Sequence, residues 1–178
     1  MKHGIRMKLF AIAAMAATAF AQPTNNTSQA SVTGKLTEQV RHELAMMPYY
    51  SVFDYVAFKL DGRTVTLLGE VNRPTLRDEA ERRVKTLEGV EKVENQIRVL
   101  PLSPFDDRIR MATLRAIYNH PVLSRYSLGS QPAIHLLVDN GKLTLKGKVM
   151  NEMDRNIAGI VANGVFGAFE VRNELVVN

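Results

Sequence analysis

The side chains that could carry chemistry in this sequence are few, and they are not grouped for catalysis or metal binding. After residue 21 the histidines are His42, His120 and His135, and no two of them have a metal-binding spacing such as His-x-x-x-His. Cysteine is absent, so no thiol can act as a nucleophile, a metal ligand or a disulfide partner. We therefore expect a protein that is not an enzyme and needs no cofactor or metal.

Two of the polar pairs that recur at a constant offset of 78 positions are candidates for chemistry, and both fit structural roles. Asp61 and Asp139 stand in predicted hairpin turns, where aspartate is favoured because its carboxylate bonds to nearby backbone groups. Asn95 and Asn173 stand on the last predicted strand of each copy. We expect both asparagines to make structural hydrogen bonds.

Recurring glycines also indicate backbone geometry rather than ligand binding. Gly69 and Gly147 lie within predicted strands with no glycine-rich loop beside them, which favours a bulge or a close approach of another element over a phosphate site. Gly89 and Gly167 follow the second predicted helix of each copy. They are expected to end that helix with a positive φ angle.

These pairs belong to an internal repeat. The offset of 78 holds without a gap between residues 61–99 and 139–177. Upstream the offset is 73, so five extra residues around 126–132 lengthen a loop in the second copy. The identical pairs include Thr66/Thr144, Leu67/Leu145, Val71/Val149, Arg77/Arg155, Ala80/Ala158, Val93/Val171 and Val99/Val177. The chain is therefore a duplication of one small module.

Each copy has the same order of predicted elements. A first helix ends before Pro48 or Pro121, and two strands of alternating apolar residues flank a turn at 61–63 or 139–141. A second helix begins near Pro74 or after Asn151, and an alternating strand closes the copy. The predicted fold class is α+β, with two tandem αββαβ modules. Each module is a small three-stranded mixed sheet covered by two helices.

The strand at residues 65–71 and the segment from Gly89 to Val99 resemble the BON domain of bacterial envelope proteins. The shared pattern is Gly-Val-x-x-Val-x-Asn-x-Ile/Leu-x-Val, and the second copy repeats it with Ala168 in place of the valine. The resemblance covers residues 36–99 and 106–178. It implies a phospholipid- or envelope-binding module of exported proteins, with a role in envelope maintenance or osmotic stress and without known catalysis.

The ends of the chain and the stretch between the copies have distinct compositions. Residues 1–21 have a basic start, an apolar run and an Ala-Phe-Ala site, which predicts a signal peptide cleaved after Ala21, although a retained anchor is the alternative. Residues 22–35 are predicted to be a disordered leader, and residues 100–105 a short linker rich in proline. We expect the protein in the periplasm, with peripheral membrane contact at most.

The charge of the chain does not favour nucleic acid as a partner. Residues 1–21 hold three of the 23 basic residues and no acidic one, so 20 basic and 18 acidic residues remain after them. A net charge of +2 is too small for an electrostatic nucleic-acid surface.

The two copies differ most from each other in polarity around their second helix. Glu79, Arg82, Arg83, Glu88 and Glu91 of the first copy correspond to Ile157, Ile160, Val161, Phe166 and Phe169 of the second. The apolar side chains of the second copy, together with Met153, are candidates for an interface. A helix that is apolar nearly all round is either buried on two sides or presents a patch for binding. The patch packs against the first module, associates with a second copy, or binds lipid or protein.

The first helix of the second copy carries the candidate lipid-binding residues. Arginine beside tyrosine is the composition of a surface that meets anionic headgroups, although a plain solvated face is the alternative. The candidates are Arg108, Arg110, Arg115, Tyr118, Arg125 and Tyr126.

The sequence thus leads to one functional hypothesis and one rival. The hypothesis is an exported protein whose second module binds anionic phospholipid or an envelope protein, without a cofactor. The rival is an adaptor or chaperone-like scaffold that holds proteins through the Ile157 patch and ignores lipid.

Overall fold

The computed structural model describes residues 26–128 and 131–178. The first module contains helix α1 (Asn26–Ala45), strands β1 (Tyr55–Asp61) and β2 (Thr64–Val71), helix α2 (Pro74–Lys85), and strands β3 (Lys92–Asn95) and β4 (Arg98–Val99). The second contains helix α3 (Pro104–Tyr118), a 3-10 turn (Ser124–Ser127), strands β5 (Ile134–Asp139) and β6 (Lys142–Val149), helix α4 (Glu152–Asn163) and strand β7 (Glu170–Val177).

Both sheets have the same mixed topology. In the first module β2 lies in the centre, antiparallel to β1 and parallel to β3 and β4. In the second module β6 lies between antiparallel β5 and parallel β7. The predicted α+β fold of two tandem αββαβ modules is confirmed. The closing strand of the first module, predicted as continuous, is divided into β3 and β4, whereas its counterpart β7 is unbroken.

Each module has its own apolar core between the helices and one face of the sheet. Alternation along the central strands explains this, because Val65 and Leu67 of β2, like Leu143 and Leu145 of β6, point to the helices and are fully buried. The helices contribute residues spaced by one turn. The core of the second module is also contacted by Val52 and Phe53, from the loop between α1 and β1 of the first.

Two predicted boundaries are corrected by the structure. Helix α1 begins at Asn26, so residues 26–35 are helical rather than a disordered leader, and no proline interrupts them. Helix α3 begins at Pro104, where Ser103 accepts a hydrogen bond from the Asp106 amide. The predicted linker 100–105 is therefore shorter, and Leu100 is buried.

The second helices end earlier than predicted. Helix α2 ends at Lys85 and α4 at Asn163, so the turn after each helix separates it from Gly89 or Gly167. Both glycines do have positive φ angles, 98° and 95°. They shape the loop before the last strand and are not the helix ends.

The predicted signal peptide and its cleavage site lie outside the described residues. Within the described part of the chain, no helix is both long enough and apolar enough to span a bilayer.

Candidate functional site

The predicted lipid-binding set on α3 does not form one surface. Arg108 and Arg115 are exposed, but Arg110 is only 3% exposed. Its Nη2 donates to the carbonyl of Val138 at 2.6 Å and its Nη1 contacts the Asp107 carboxylate at 2.7 Å. The assignment of Arg110 to a lipid surface is therefore wrong, because this guanidinium ties α3 to the end of β5.

The two tyrosines of that set are also structural. The hydroxyl of Tyr118 donates to the Ile134 carbonyl at 2.6 Å, and burial raises the pKa of Tyr118 to about 12. The hydroxyl of Tyr126 donates to the buried carboxylate of Asp154 and accepts from the Met150 amide at 2.9 Å. Each hydroxyl is held by a bond to the module interior, so neither is free to meet a headgroup.

Arg125 is exposed, but its guanidinium is held by contacts within the module. It forms an ion pair with Asp154, whose side chain is 1% exposed, and its guanidinium lies 5.5 Å from the Tyr126 ring centroid. A buried carboxylate needs a partner. Arg125 is that partner, and its positive charge compensates the negative charge of Asp154 in the first turn of α4. Its assignment to lipid binding is corrected with those of the tyrosines.

What remains on α3 is an exposed face that mixes arginine with apolar side chains. Phe105, Arg108, Met111 and Arg115 recur at helical spacing on this face and are solvent-accessible. The Arg108 guanidinium lies 5.7 Å from the centroid of the Phe105 ring. Among the described residues neither Arg108 nor Arg115 has a carboxylate within ion-pair distance. We call these four residues, together with Phe169, the α3 face.

Phe169 extends the α3 face from the loop before β7. Its ring stacks on Phe105 with centroids 5.6 Å apart. Its counterpart in the first module is Glu91, which forms an ion pair with Arg63 at 2.6 Å. The counterpart of Arg63 is Gly141. An ion pair in one module is thus replaced in the other by an aromatic ring over a glycine.

The turn beneath this aromatic pair is held by Asp106. Its buried carboxylate accepts from the amides of Asn140 and Gly141 at 2.9 and 2.8 Å. The first turn of α3 is thereby fastened to the β5–β6 turn. Phe105 and Phe169 are consequently placed by a rigid support.

The apolar stripe of α4 does not pack against the first module. Ile160 is 73% exposed, Phe166 is 97% exposed, and Met153 is also exposed. Ile157 and Val161 are half-buried against the core of their own module. The interpretation that this stripe docks on the first module is wrong, because the first module contacts the sheet instead of this helix.

The contact between modules is made by the outer face and edge of β5. The amide of Leu136 donates to the carbonyl of Val52 at 2.8 Å. Arg98 of the first module forms two ion pairs, each at 2.6 Å, one with Glu70 of the same module and one with Asp139 of the second. The two modules are thereby joined by backbone and charge contacts together.

A polar cavity of about 230 Å³ lies beside this contact. Its charged side chains pair with one another or with Glu170: Arg98 with Glu70 and Asp139, Lys146 with Glu174, and Lys142 and Arg172 with Glu170. Because every charge in the lining has a partner, we assign no ligand to it.

The recurring asparagines have the predicted structural role. Nδ2 of Asn95 donates to the Arg77 carbonyl at 2.9 Å, and Nδ2 of Asn173 donates to the Arg155 carbonyl at 2.7 Å. The Oδ1 atoms accept from the amides two residues on, Ile97 and Leu175. Each asparagine therefore fastens the last strand to the second helix.

The remaining chemistry-bearing residues are His42, His120 and His135 and the acidic side chains. Among residues 33–128 and 131–178, no three histidine or acidic side chains are grouped to hold a metal ion. His42 is exposed, and His120 accepts a hydrogen bond from the Val122 amide through Nδ1, which is a turn contact. His135 is buried between the modules.

Sequence reasoning missed Phe105, Met111 and His135. The first two could have been found, since they share one helical face with Arg108 and Arg115. The burial of His135 had no local signal because a different module covers it.

Comparison with known proteins identifies the repeat. The family model for the BON domain matches the chain twice, over residues 33–101 and 106–178. A search of curated proteins finds no match. Two solved structures of CdsD, a structural protein of the type III secretion system of Chlamydia trachomatis, are similar, one being the C-terminal domain. Each is 15% identical and covers 81% of this chain; they are covered over 98% and 92% of their length, with TM-scores of 0.30 and 0.29.

Proposed function

The chain belongs to the BON domain family, and from this premise we propose that it is an exported, periplasmic binding protein that attaches peripherally to anionic phospholipid through its second module. BON domains are binding modules, and two of them occupy most of this chain. The role we propose is envelope maintenance, including under osmotic stress, without catalysis.

The observation that carries this proposal is the composition of the α3 face. Two arginines without an acidic partner among the described residues lie beside Phe105, Met111 and Phe169. A basic residue near an anionic membrane contributes about 1 kcal/mol, and the adjacent rings add apolar burial at the headgroup boundary. The sum corresponds to weak and reversible attachment.

Flotation with vesicles tests the α3 face directly. The chain without residues 1–21 is mixed with phosphatidylglycerol or phosphatidylcholine vesicles at low salt. We expect it to float with the anionic vesicles only, and the double variant Arg108→Glu/Arg115→Glu to lose at least about tenfold in binding. The matched control is Arg41→Glu/Arg82→Glu, which makes the same charge change on exposed arginines of the first module.

The two variants separate a site from a general charge effect. If the control loses as much binding as the α3 variant, net charge alone drives the attraction and the α3 face is not the site. If the unaltered protein floats with neither vesicle, the lipid proposal is wrong.

A second candidate function is supported by the exposed α4 stripe. Met153, Ile160 and Phe166 present apolar surface away from the module core, which suits an adaptor or scaffold that binds proteins, or a second copy of this chain. Salt discriminates the two functions, because binding through arginine weakens at high ionic strength whereas apolar contact persists. A partner captured equally at 50 mM and 500 mM salt, and lost in Ile160→Ser/Phe166→Ser, supports the adaptor; these concentrations span roughly a threefold change in screening length.

A further inference from the structure

His135 is buried because the first module covers it. It lies on β5 with its side chain on the sheet face opposite the core, as does Leu137 two residues on, and their exposed fractions are 7% and 1%. The counterparts in the first module are Ala57, half-buried, and Lys59, exposed. The same face of the same fold is thus open in one module and closed in the other.

The ring of His135 packs against two aromatic rings and lies close to the backbone of Ser51 and Asp54. The rings of Tyr50 and Tyr55 lie 5.8 and 5.3 Å from it between centroids, the second edge-on. Nδ1 is buried and has no hydrogen-bond partner within residues 33–128 and 131–178. A neutral imidazole with its proton on Nε2 is tolerated in this place, whereas protonation of Nδ1 as well would create a buried N–H without a partner among the described residues.

The charged groups around the ring come from three elements. The α1–β1 loop contributes Asp54, whose buried carboxylate is already taken by Ser51 and by the Asn72 amide at 2.8 Å. On β6, Lys146 is the register partner of His135, and its ammonium lies 5.5 Å from the Tyr55 ring centroid. Glu174 of β7 pairs with that ammonium at 3.4 Å.

The balance of these groups favours the neutral ring. Burial lowers the pKa of His135 from its ordinary value of 6.5, and contacts with Asp54 and Ser51 oppose this only in part. When the modules separate, the ring is exposed to water and its pKa returns towards the ordinary value. Protons therefore bind the separated form more readily than the docked form.

We propose that protonation of His135 separates the two modules, so that acidification opens the outer sheet face of the second module. The two modules hold together most strongly above pH 6.5, where the imidazole is neutral in both the docked and the separated form. Their contact weakens as the pH falls from 6.5 through the lower pKa that His135 has in the docked form. Each pH unit in that range weakens docking by up to about tenfold for the one proton taken up.

A distance measurement on the chain without residues 1–21 tests this proposal. Spin labels are placed at Lys85→Cys and Asn163→Cys, equivalent exposed positions in the two modules of a chain with no natural cysteine. We expect one narrow distance distribution at pH 8 that broadens towards pH 5.5. His135→Phe keeps the ring volume without a proton site and remains narrow throughout; the matched control His42→Phe, at an exposed histidine, broadens like the unaltered protein.

Two results would overturn the proposal. One is a distribution of the unaltered protein that stays narrow to pH 5.5. The other is a His135→Phe protein that broadens over the same pH range. If His135→Phe is already separated at pH 8, His135→Gln and the imidazole titration followed by NMR decide: separation must coincide with protonation of His135, and any other midpoint rejects the mechanism.

Discussion

The ring of Phe169 covers Gly141 so closely that a Cβ atom at Gly141 would overlap it. The same Cβ would lie 3.4 Å from Phe105, which stacks on Phe169. Gly141 also has a φ angle of 77°. The absence of a side chain at this position is therefore what allows an aromatic pair to replace the ion pair of the first module.

Gly141→Ala should lower the free energy of unfolding by about 2 kcal/mol. Roughly 1 kcal/mol is backbone strain at positive φ, and the rest is the displaced aromatic pair. In a Phe169→Ala background only the strain should remain, so chemical denaturation of the four proteins in a double-mutant cycle should give a coupling of about 1 kcal/mol.

Gly62→Ala is the control for this strain. Gly62 has a φ angle of 56°, and a Cβ atom added there would have nothing within 4 Å, so this position isolates the backbone contribution. Equal costs for Gly62→Ala and Gly141→Ala would mean that Phe169 does not require the glycine.

The fold could be predicted from the sequence because its signals are local and occur twice. The alternation of Val65 and Leu67 predicts a strand with one buried face, and the equivalent positions 143 and 145 repeat it. Asn151 predicts a helix start, and its side chain does accept from the Asp154 amide at 2.8 Å. Each such signal depends only on neighbours along the chain.

The site could be predicted only in part, because tertiary contacts decide which side chains are occupied by hydrogen bonds and ion pairs. Arg108 and Arg110 are the same residue type on one helix, yet one faces solvent and the other bonds to Val138, 28 residues away. Likewise Tyr126 is held by Asp154, in a helix whose sequence gives no sign of that pairing. Residue type and spacing identify the correct helix and its faces, but not the tertiary partners that occupy a side chain.

Asn173→Ala should reduce the free energy of unfolding of the second module by about 1–3 kcal/mol. It removes one bond to the Arg155 carbonyl and one to the Leu175 amide, and it leaves partly buried backbone groups without these partners. Asn163→Ala is the control, since that amide bonds to Gly159 on an exposed helix surface and should cost less than about 0.5 kcal/mol. Urea denaturation distinguishes them, and equal costs would contradict the role assigned to Asn173.

Gly147→Ala should be among the most destabilising single changes, by about 3 kcal/mol or more. A Cβ there would overlap the carbonyl oxygen of Ala133, which is backbone and cannot rotate away, at a φ angle of 122°. Gly34→Ala provides the opposite case, because a Cβ atom added to this helical glycine would have none of the described atoms within 4 Å outside its own helix. It should stabilise α1 by about 0.5–1 kcal/mol. Thermal or urea midpoints measure both changes, and a harmless Gly147→Ala would show that β5 and β6 are not in close backbone contact at this point.

Stability and membrane binding should respond to different residues of the original arginine and tyrosine set. Tyr126→Phe removes the hydroxyl from the buried Asp154 and the Met150 amide, and Arg110→Met leaves the Val138 carbonyl without its donor. Each should cost about 1–3 kcal/mol of unfolding free energy, with vesicle binding of the folded protein unchanged within about twofold.

Arg108→Glu should show the reverse pattern. Its guanidinium lies over the exposed Phe105 ring and forms no ion pair or hydrogen bond with the described residues, so the unfolding free energy should change by less than about 0.5 kcal/mol. Vesicle flotation should nevertheless fall, because a negative charge replaces a positive one at the membrane surface. Denaturation and flotation on the same three variants separate the two roles. Binding that is lost in folded Arg110→Met but kept in Arg108→Glu would mean that the lipid meets a different face of α3, since the buried guanidinium could reach a headgroup only if the helix turned.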